Sequence, residues 1–396
     1  MKEIKKGWIT NEKTGIIKNS EIQSGELCLL LLDTYGKDLE YNLMSGEVEL
    51  NRHPIPTSEI DNFYVFLSSI GWKIQKGAAI DAMQTAAQTN SYHPVVDEFI
   101  RIELDDSIDP IDLDQVATDY LGTNDHLYDE MLATTLIGLV NRTFHNGCKF
   151  DNCTVLTGPE GKRKSTFWKE LATDNWFCDT WQNKDQDLFM AINQCLIYEL
   201  AELDGITSVR AQASLKAILT SATDTYKRPY ARGIGKFPRP SILVATSNRC
   251  DFLSDPSADH RRFWVIPIQN TIDTKKVKRD RKRIFKAAIL AYRNGRKPYL
   301  KDEVQKKSNL RNKGFQEEHP FMDRISQWAK TRDNFSATDA LIGSRCRTEE
   351  NLKRNDAKEV ANCLRALGYQ KKQQRVNGGR EYLWSKSPMT TKTTET

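Results

Sequence analysis

The sequence predicts an α/β fold built on a parallel sheet, and three observations carry that expectation. Short, apolar, partly β-branched runs (Cys153 to Thr157, Gln194 to Leu200, Ser241 to Ser247) alternate with helical segments in the middle of the chain. The first run leads straight into a loop of glycines and cations, Gly158-Pro-Glu-Gly-Lys-Arg-Lys-Ser-Thr166, followed by a helical stretch. At 396 residues the chain is too long for one ordinary core, so roughly two to four folded units are expected.

Composition narrows the function classes. Hydrophobic residues make up 39% and charged residues 28%, with a formal net charge of +5, enough for packed cores and a slightly basic surface that permits an anionic partner. The eight cysteines (28, 148, 153, 178, 195, 250, 346 and 363) form no C-x-x-C pair and have no histidine at zinc-finger spacing, so free thiols in a reducing compartment are expected. Cys148 and Cys153 alone are too few for a metal site. The start, MKEIKKGWIT, lacks an apolar signal core, and no stretch approaches the ~20 apolar residues of a membrane span. A cytoplasmic protein with no membrane partner is expected.

Along the chain, residues 1–90 combine short apolar runs (Leu29 to Leu32) with turns and helix-like stretches from Ser58 to Ile70 and from Lys76 to Gln88, an N-terminal α+β region. Residues 91–148 read as helical, and Asp129 to Val140 is too densely apolar for a one-sided surface helix. The α/β core follows at 149–270. A basic helical stretch, Lys275 to Arg296, opens a lid or connector over 271–318. Residues 319–386 give helices and then two strand-like runs about Asn377-Gly378-Gly379, the pattern of a winged helix, and the Thr- and Lys-rich tail 387–396 is expected to be disordered.

The loop after the first strand satisfies most of G-x-x-x-x-G-K-[ST], and its strand-to-helix setting is as informative as its letters. Gly158 and Gly161 let the backbone curl so that N–H groups face phosphates, with Pro159, Glu160, Lys162 and Arg163 completing the cradle. Lys164 is placed to reach β and γ phosphates, and Ser165, or else Thr166, to offer a hydroxyl to Mg²⁺. ATP and Mg²⁺ are the cofactors this implies. Arg163 stands where the pattern has glycine, so that position must take up its backbone angles with a side chain present. A basic helix N-terminus after a turn is the plain alternative.

Such a loop needs acids beyond a neighbouring strand. Cys195-Leu-Ile-Tyr-Glu199-Leu-Ala-Glu202 supplies Glu199 as the metal-side carboxylate and Glu202 as the group polarising the attacking water, or the two in reverse order. Asn248, ending the run Ser241 to Ser247, suits a γ-phosphate sensor, although an Asn turning the chain after a strand is common. Arg261 and Arg262, leading into the apolar strand that ends at Pro267, are candidates for an arginine donated across a subunit boundary, with an intrachain ion pair as the alternative.

The run Glu199-x-x-Glu202-Leu-Asp204-Gly205, Leu215-Lys216, Asp224-x-x-x-Arg228-Pro229-Tyr230, Thr246-Ser-Asn248 and Arg261-Arg-Phe-Trp264 resembles the virulence-associated protein E family, relatives of superfamily 3 helicases within the AAA+ class. Asn90-Ser-Tyr-His93-Pro94 and Gly147-Cys-Lys149-Phe150 extend the likeness, which spans roughly residues 40 to 385. The resemblance implies a P-loop AAA+ core and a DNA helicase or replication-initiation motor of a phage or mobile element, located in the host cytoplasm. It also implies a homo-hexameric ring with composite ATP sites, single-stranded or origin duplex DNA as partner, and a separate primase as a further one. Lys216, Asp224 and Arg228 are added as pocket or interface groups. No primase motif precedes the loop, and an initiator that uses ATP only as an assembly switch is the competing class.

The last unit is basic. Residues 330–386 hold 13 Lys or Arg against 7 Asp or Glu, a surplus of six that exceeds the net charge of the whole chain. Lys358, Arg365, Lys371, Lys372, Arg375 and Arg380 cluster toward the expected recognition helix and wing as candidate DNA contacts, while Val360, Leu364 and Leu367 recur at helical spacing and should face a core.

Overall fold

A computed structural model of the chain describes residues 3–180, 182, 184–201, 209–228, 233–249, 252–253, 260–315, 321–352, 356–376 and 379–386. The N-terminal part contributes β1 (Trp8–Thr10), β2 (Ile17–Glu21), β3 (Leu39–Asn42), β4 (Glu47–Leu50), β5 (His53–Pro54), β6 (Trp72–Lys73) and β7 (Ser91–Tyr92). These form two small sheets, β1-β2-β6 and β5-β4-β3-β7. Helices Ser24–Tyr35 and Lys76–Gln88 share one core with them, with Leu27, Leu31, Ala79 and Met83 buried. The run Leu29 to Leu32 therefore sits on a helix. Leu27 and Leu31, four apart, face inward while Leu29 is 68% exposed, as a 3.6-residue period requires. The single helix expected from Ser58 to Ile70 is two, Thr57–Asp61 and Phe63–Ser69, parted at Asn62. The Asn62 side chain donates to the Ser58 carbonyl at 2.9 Å, and its backbone leaves helical geometry.

The middle of the chain supplies β8 (Cys153–Thr157), β9 (Phe177–Cys178), β10 (Ile197–Leu200), β11 (Thr223–Tyr226), β12 (Gly235–Pro238), β13 (Ile242–Ser247) and β14 (Phe263–Pro267). Five of these make a wholly parallel sheet in the order β14-β8-β13-β10-β9, and β11 and β12 pair as an antiparallel hairpin. Parallel strands need both faces covered, which is why these runs read as unbroken apolar stretches. Leu156, Ile197, Val244 and Ile266 face one core, with helices His126–Phe144 and Thr274–Arg293. Val155, Tyr198, Leu243 and Val265 face the other, with Leu188, Ile192, Leu215 and Leu219 from the following helices.

Helix His126–Phe144 is buried nearly all round, as its dense apolar spacing predicts. The basic stretch after Pro267 becomes helix Thr274–Arg293, with Val277, Ile284, Phe285 and Ile289 inside the same core. Part of its charge ties neighbouring elements together. Arg281 pairs with both oxygens of Glu98 at 2.8 and 2.9 Å and donates to the Leu171 carbonyl at 2.7 Å, and Lys286 donates to the carbonyls of Glu103 and Asp105.

The C-terminal part has its own core. Helices Met322–Ala329, Ala337–Gly343 and Asp356–Ala366 precede the antiparallel pair β15 (Tyr369–Val376) and β16 (Gly379–Lys386). Ile325, Leu341, Val360, Leu364 and Trp384 pack together, and Phe335 exchanges two backbone hydrogen bonds with Trp384. Among the described residues no helix is long and apolar enough to cross a membrane, the seven cysteines are free, and no cluster of His, Cys, Asp and Glu suits a metal.

Asp224, expected as a pocket or interface group, is a buried structural anion. Its two oxygens receive Nε and Nη2 of the buried Arg239 at 2.9 and 2.5 Å, and Asn193 donates to it at 2.8 Å. Removing one member of such a pair strands the other charge away from water. Asp224→Ala is therefore expected to lower unfolding free energy by about 3–5 kcal/mol, read from urea denaturation; a loss under about 1 kcal/mol would mean that water reaches Arg239.

Candidate functional site

The loop after β8 is held at both ends. The Thr157 hydroxyl donates to the Arg249 carbonyl at 2.7 Å, and the Gly158 N–H donates to the Ser247 carbonyl at 3.2 Å, so the loop begins bound to the end of β13. Gly158 sits at φ 146°, and a Cβ there would lie 2.3 Å from the Ile268 carbonyl oxygen, so a side chain is excluded. Further on, Ile272 N–H donates to the Lys162 carbonyl at 3.2 Å. Arg163 closes the loop as the N-cap of helix Lys164–Ala172, in left-handed backbone geometry at φ 62°, ψ 32°. The first N–H groups of a helix have no intrahelical acceptor and carry positive potential, which makes this end a natural anion seat.

Four expected residues come together at that end. Lys164 is 6% exposed, and its ammonium donates to the Gly158 and Pro159 carbonyls at 2.7 and 2.9 Å and to Asn248 Oδ1 at 2.9 Å. Ser165 Oγ donates to Glu199 Oε1 at 2.7 Å, which separates Ser165 from Thr166 as the hydroxyl facing the acid. Glu199 is 1% exposed on β10, next to the central strand, and is paired in register with Val244 of β13. Two residues beyond Val244, Thr246 Oγ1 donates to the same Oε1 at 2.6 Å. Oε2 is buried and accepts no hydrogen bond from the described residues. Burial pushes the Glu199 carboxyl above its ordinary pKa, while the bonds from Thr246 and Ser165 and the charge of Lys164 pull the other way.

A hydroxyl beside a carboxylate with one unbonded oxygen is a hard-oxygen donor set that fits Mg²⁺. The adjoining ammonium and helix N-terminus fit phosphate. Thr246 has no counterpart among the expected site residues. Its signal was a hydroxyl two positions before the polar end of that run, on a residue that the parallel register turns to the same face as its neighbour's acid. Pro159 and Glu160 are exposed on the loop, and Lys162 and Thr166 are half-buried. Glu202 lies outside the described residues.

Arg261 and Arg262 are at the other end of the sheet. Phe263 pairs with Cys153 and Pro267 with Thr157, so the arginines, just ahead of β14, lie the full length of that strand from the loop. At ~3.3 Å per residue that is roughly 16 Å, beyond the reach of an arginine side chain. Arg262 is half-buried with Nε 3.7 Å from Asp151 Oδ2, whereas Arg261 is exposed. Arg228 lies over the Phe237 ring at 4.5 Å and donates to Tyr41 Oη at 3.3 Å, linking the β11–β12 hairpin to the N-terminal part. Lys216 is half-buried on helix Val209–Thr220.

Of the basic residues expected to contact DNA, Arg365, Lys371, Lys372, Arg375 and Arg380 are exposed on one hairpin and the helix before it. Arg375 stands directly across from Arg380, Lys372 opposite Leu383, and Lys371 lies 4.7 Å from the Tyr382 ring. Arg365 sits 5.5 Å over Trp384 and donates to Asn362 Oδ1 at 3.0 Å. The side chain of Lys358 lies outside the described residues.

Residues 106–317, more than half the chain and the whole of the parallel sheet, match the virulence-associated protein E-like domain. The chain belongs to that family. Among solved structures it is similar to the apo structure of the NrS-1 C-terminal region (305–718), at 10% identity over 93% of this chain and 100% of that one, with a TM-score of 0.47. The A form of the same region is similar at 11% identity over 92% and 99%, with a TM-score of 0.45. No curated protein matches.

Proposed function

We propose that this member of the virulence-associated protein E-like family is a P-loop ATPase of the AAA+, superfamily 3 kind, acting as a DNA helicase or replication-initiation motor of a phage or mobile element. The observation that carries the reading is the convergence of Lys164, Ser165, Glu199 and Asn248, from three adjacent strand ends, on one helix N-terminus. Lys164 and the loop N–H groups bind phosphate, and Asn248, beside the ammonium, is within reach of both a terminal phosphate and a water. Ser165 and Glu199 would hold Mg²⁺, which when bound neutralises phosphate charge. Glu202 is proposed as the group that polarises the attacking water. The separation of Arg261 from its own loop supports donation to a neighbouring subunit in a homo-hexameric ring, while Arg262, paired with Asp151, holds the start of β14.

The C-terminal part is proposed as a winged helix, on the strength of three helices, a hairpin and the Phe335–Trp384 bridge around one core. Two arginines directly across a hairpin repel each other, and a phosphate between them would offset that. Origin or single-stranded DNA is the proposed partner, with a separate primase as a further one.

Lys164→Ala should abolish ATP turnover and leave the circular dichroism spectrum unchanged, because it removes the phosphate-binding ammonium without opening a core. Turnover near the wild-type rate would remove the site. Arg261→Ala should lose turnover alone and recover part of it when mixed with Lys164→Ala, since mixed rings rebuild intact composite sites; no recovery, or a full rate for Arg261→Ala by itself, would count against the ring. Deleting residues from 321 onward should weaken duplex binding and flatten its salt dependence, because fewer counterions are released, while DNA-independent turnover survives. An unchanged salt slope in a binding titration would assign the DNA contacts to the ring instead.

A further inference from the structure

Three cations in a row, Lys162, Arg163 and Lys164, enter the phosphate-loop helix, and the middle one occupies a position that glycine would fill without strain. At φ 62° an L side chain crowds its own backbone, a cost that a fold retains only where something offsets it. The Arg163 side chain is exposed and makes no hydrogen bond, ion pair or ring contact among the described residues, so none of them supplies that offset. Elsewhere in the chain Arg262 is engaged with Asp151, Arg228 with Phe237 and Tyr41, and Arg365 with Trp384. Independently, Glu199 is buried two residues from this cap through Ser165 and presents an unbonded oxygen, which points to a cation-bearing ligand at the same place.

We infer that Arg163 contacts the triphosphate of the bound nucleotide in cis. The inference rests on the ATPase reading. A guanidinium offers a planar fork that meets two phosphate oxygens in a fixed bidentate geometry, whereas the Lys164 ammonium acts as a point charge. The replacement of glycine by arginine then gives the site a second cation from its own subunit, at the one place where Arg261 of the same chain cannot reach.

The test is steady-state ATP hydrolysis by the full chain, with thermal melting, for wild type, Arg163→Gly and Arg163→Lys. Arg163→Gly relieves the backbone and removes the fork, so its melting temperature should hold or rise while kcat/KM falls tenfold or more. Arg163→Lys keeps the charge and the strain, and should fall between the two. The loss in Arg163→Gly should also appear in ATP affinity, measured by binding titration at protein concentrations low enough to dissociate rings. A kcat/KM for Arg163→Gly within twofold of wild type, or above it, overturns the inference and leaves the ATPase reading standing. A wild-type chain that neither binds nor hydrolyses ATP overturns both.

Discussion

The Glu199 carboxylate is the junction on which the candidate site depends. One oxygen, Oε1, accepts hydrogen bonds from Ser165 on the loop helix and Thr246 on β13, so three elements far apart in sequence meet at one atom. The parallel order β8-β13-β10 makes this possible, because it inserts β13, which carries Thr246, between the strand that leads into the loop and the strand that carries Glu199. Any slip of one residue in β10 would turn Glu199 into the opposite core and Tyr198 toward the loop. A buried acid with one unbonded oxygen is costly, and the fold retains it with two hydroxyl donors and a nearby ammonium.

The surrounding elements of the central part support that junction. The buried Arg142 donates to the carbonyls of Ser241 and Phe150 at 2.6 and 2.8 Å, fixing the strand that carries Thr246 and Asn248 against the strand that feeds the loop. Arg239, just ahead of β13, is locked by Asp224. Helix Thr274–Arg293 braces the far side through Arg281 and Lys286, so the segment leaving the sheet also joins it to the helices that precede it. Pairs and carbonyl contacts of this kind are worth most for geometry, since a buried charge left alone costs more than its pairing returns.

Charge is distributed to match. The cations at the loop sit beside buried polar groups, whereas most of the surplus of the C-terminal part lies on an exposed hairpin where ion pairs would be weak and screened. The two regions have separate cores.

The class of the fold and the place of the loop between strand and helix are written in the order of residues. The strand runs, the glycines and the helix that follows are local signals, because periodicity and turn chemistry act over a few residues. Glu199, Asn248 and Lys164 were legible for the same reason, each standing at the end of an element whose type its neighbours define. Which groups meet is settled by tertiary structure. The choice of Ser165 over Thr166, the part played by Thr246, the burial of Asp224 against Arg239 and the distance of Arg261 from its own loop all follow from strand order and register, which bring together residues tens of positions apart. Those long-range pairings leave no periodic trace in the chain. The strained backbone at Arg163 lies between the two cases: the motif predicted an unusual position there, and the fold assigned it a left-handed geometry at the helix cap.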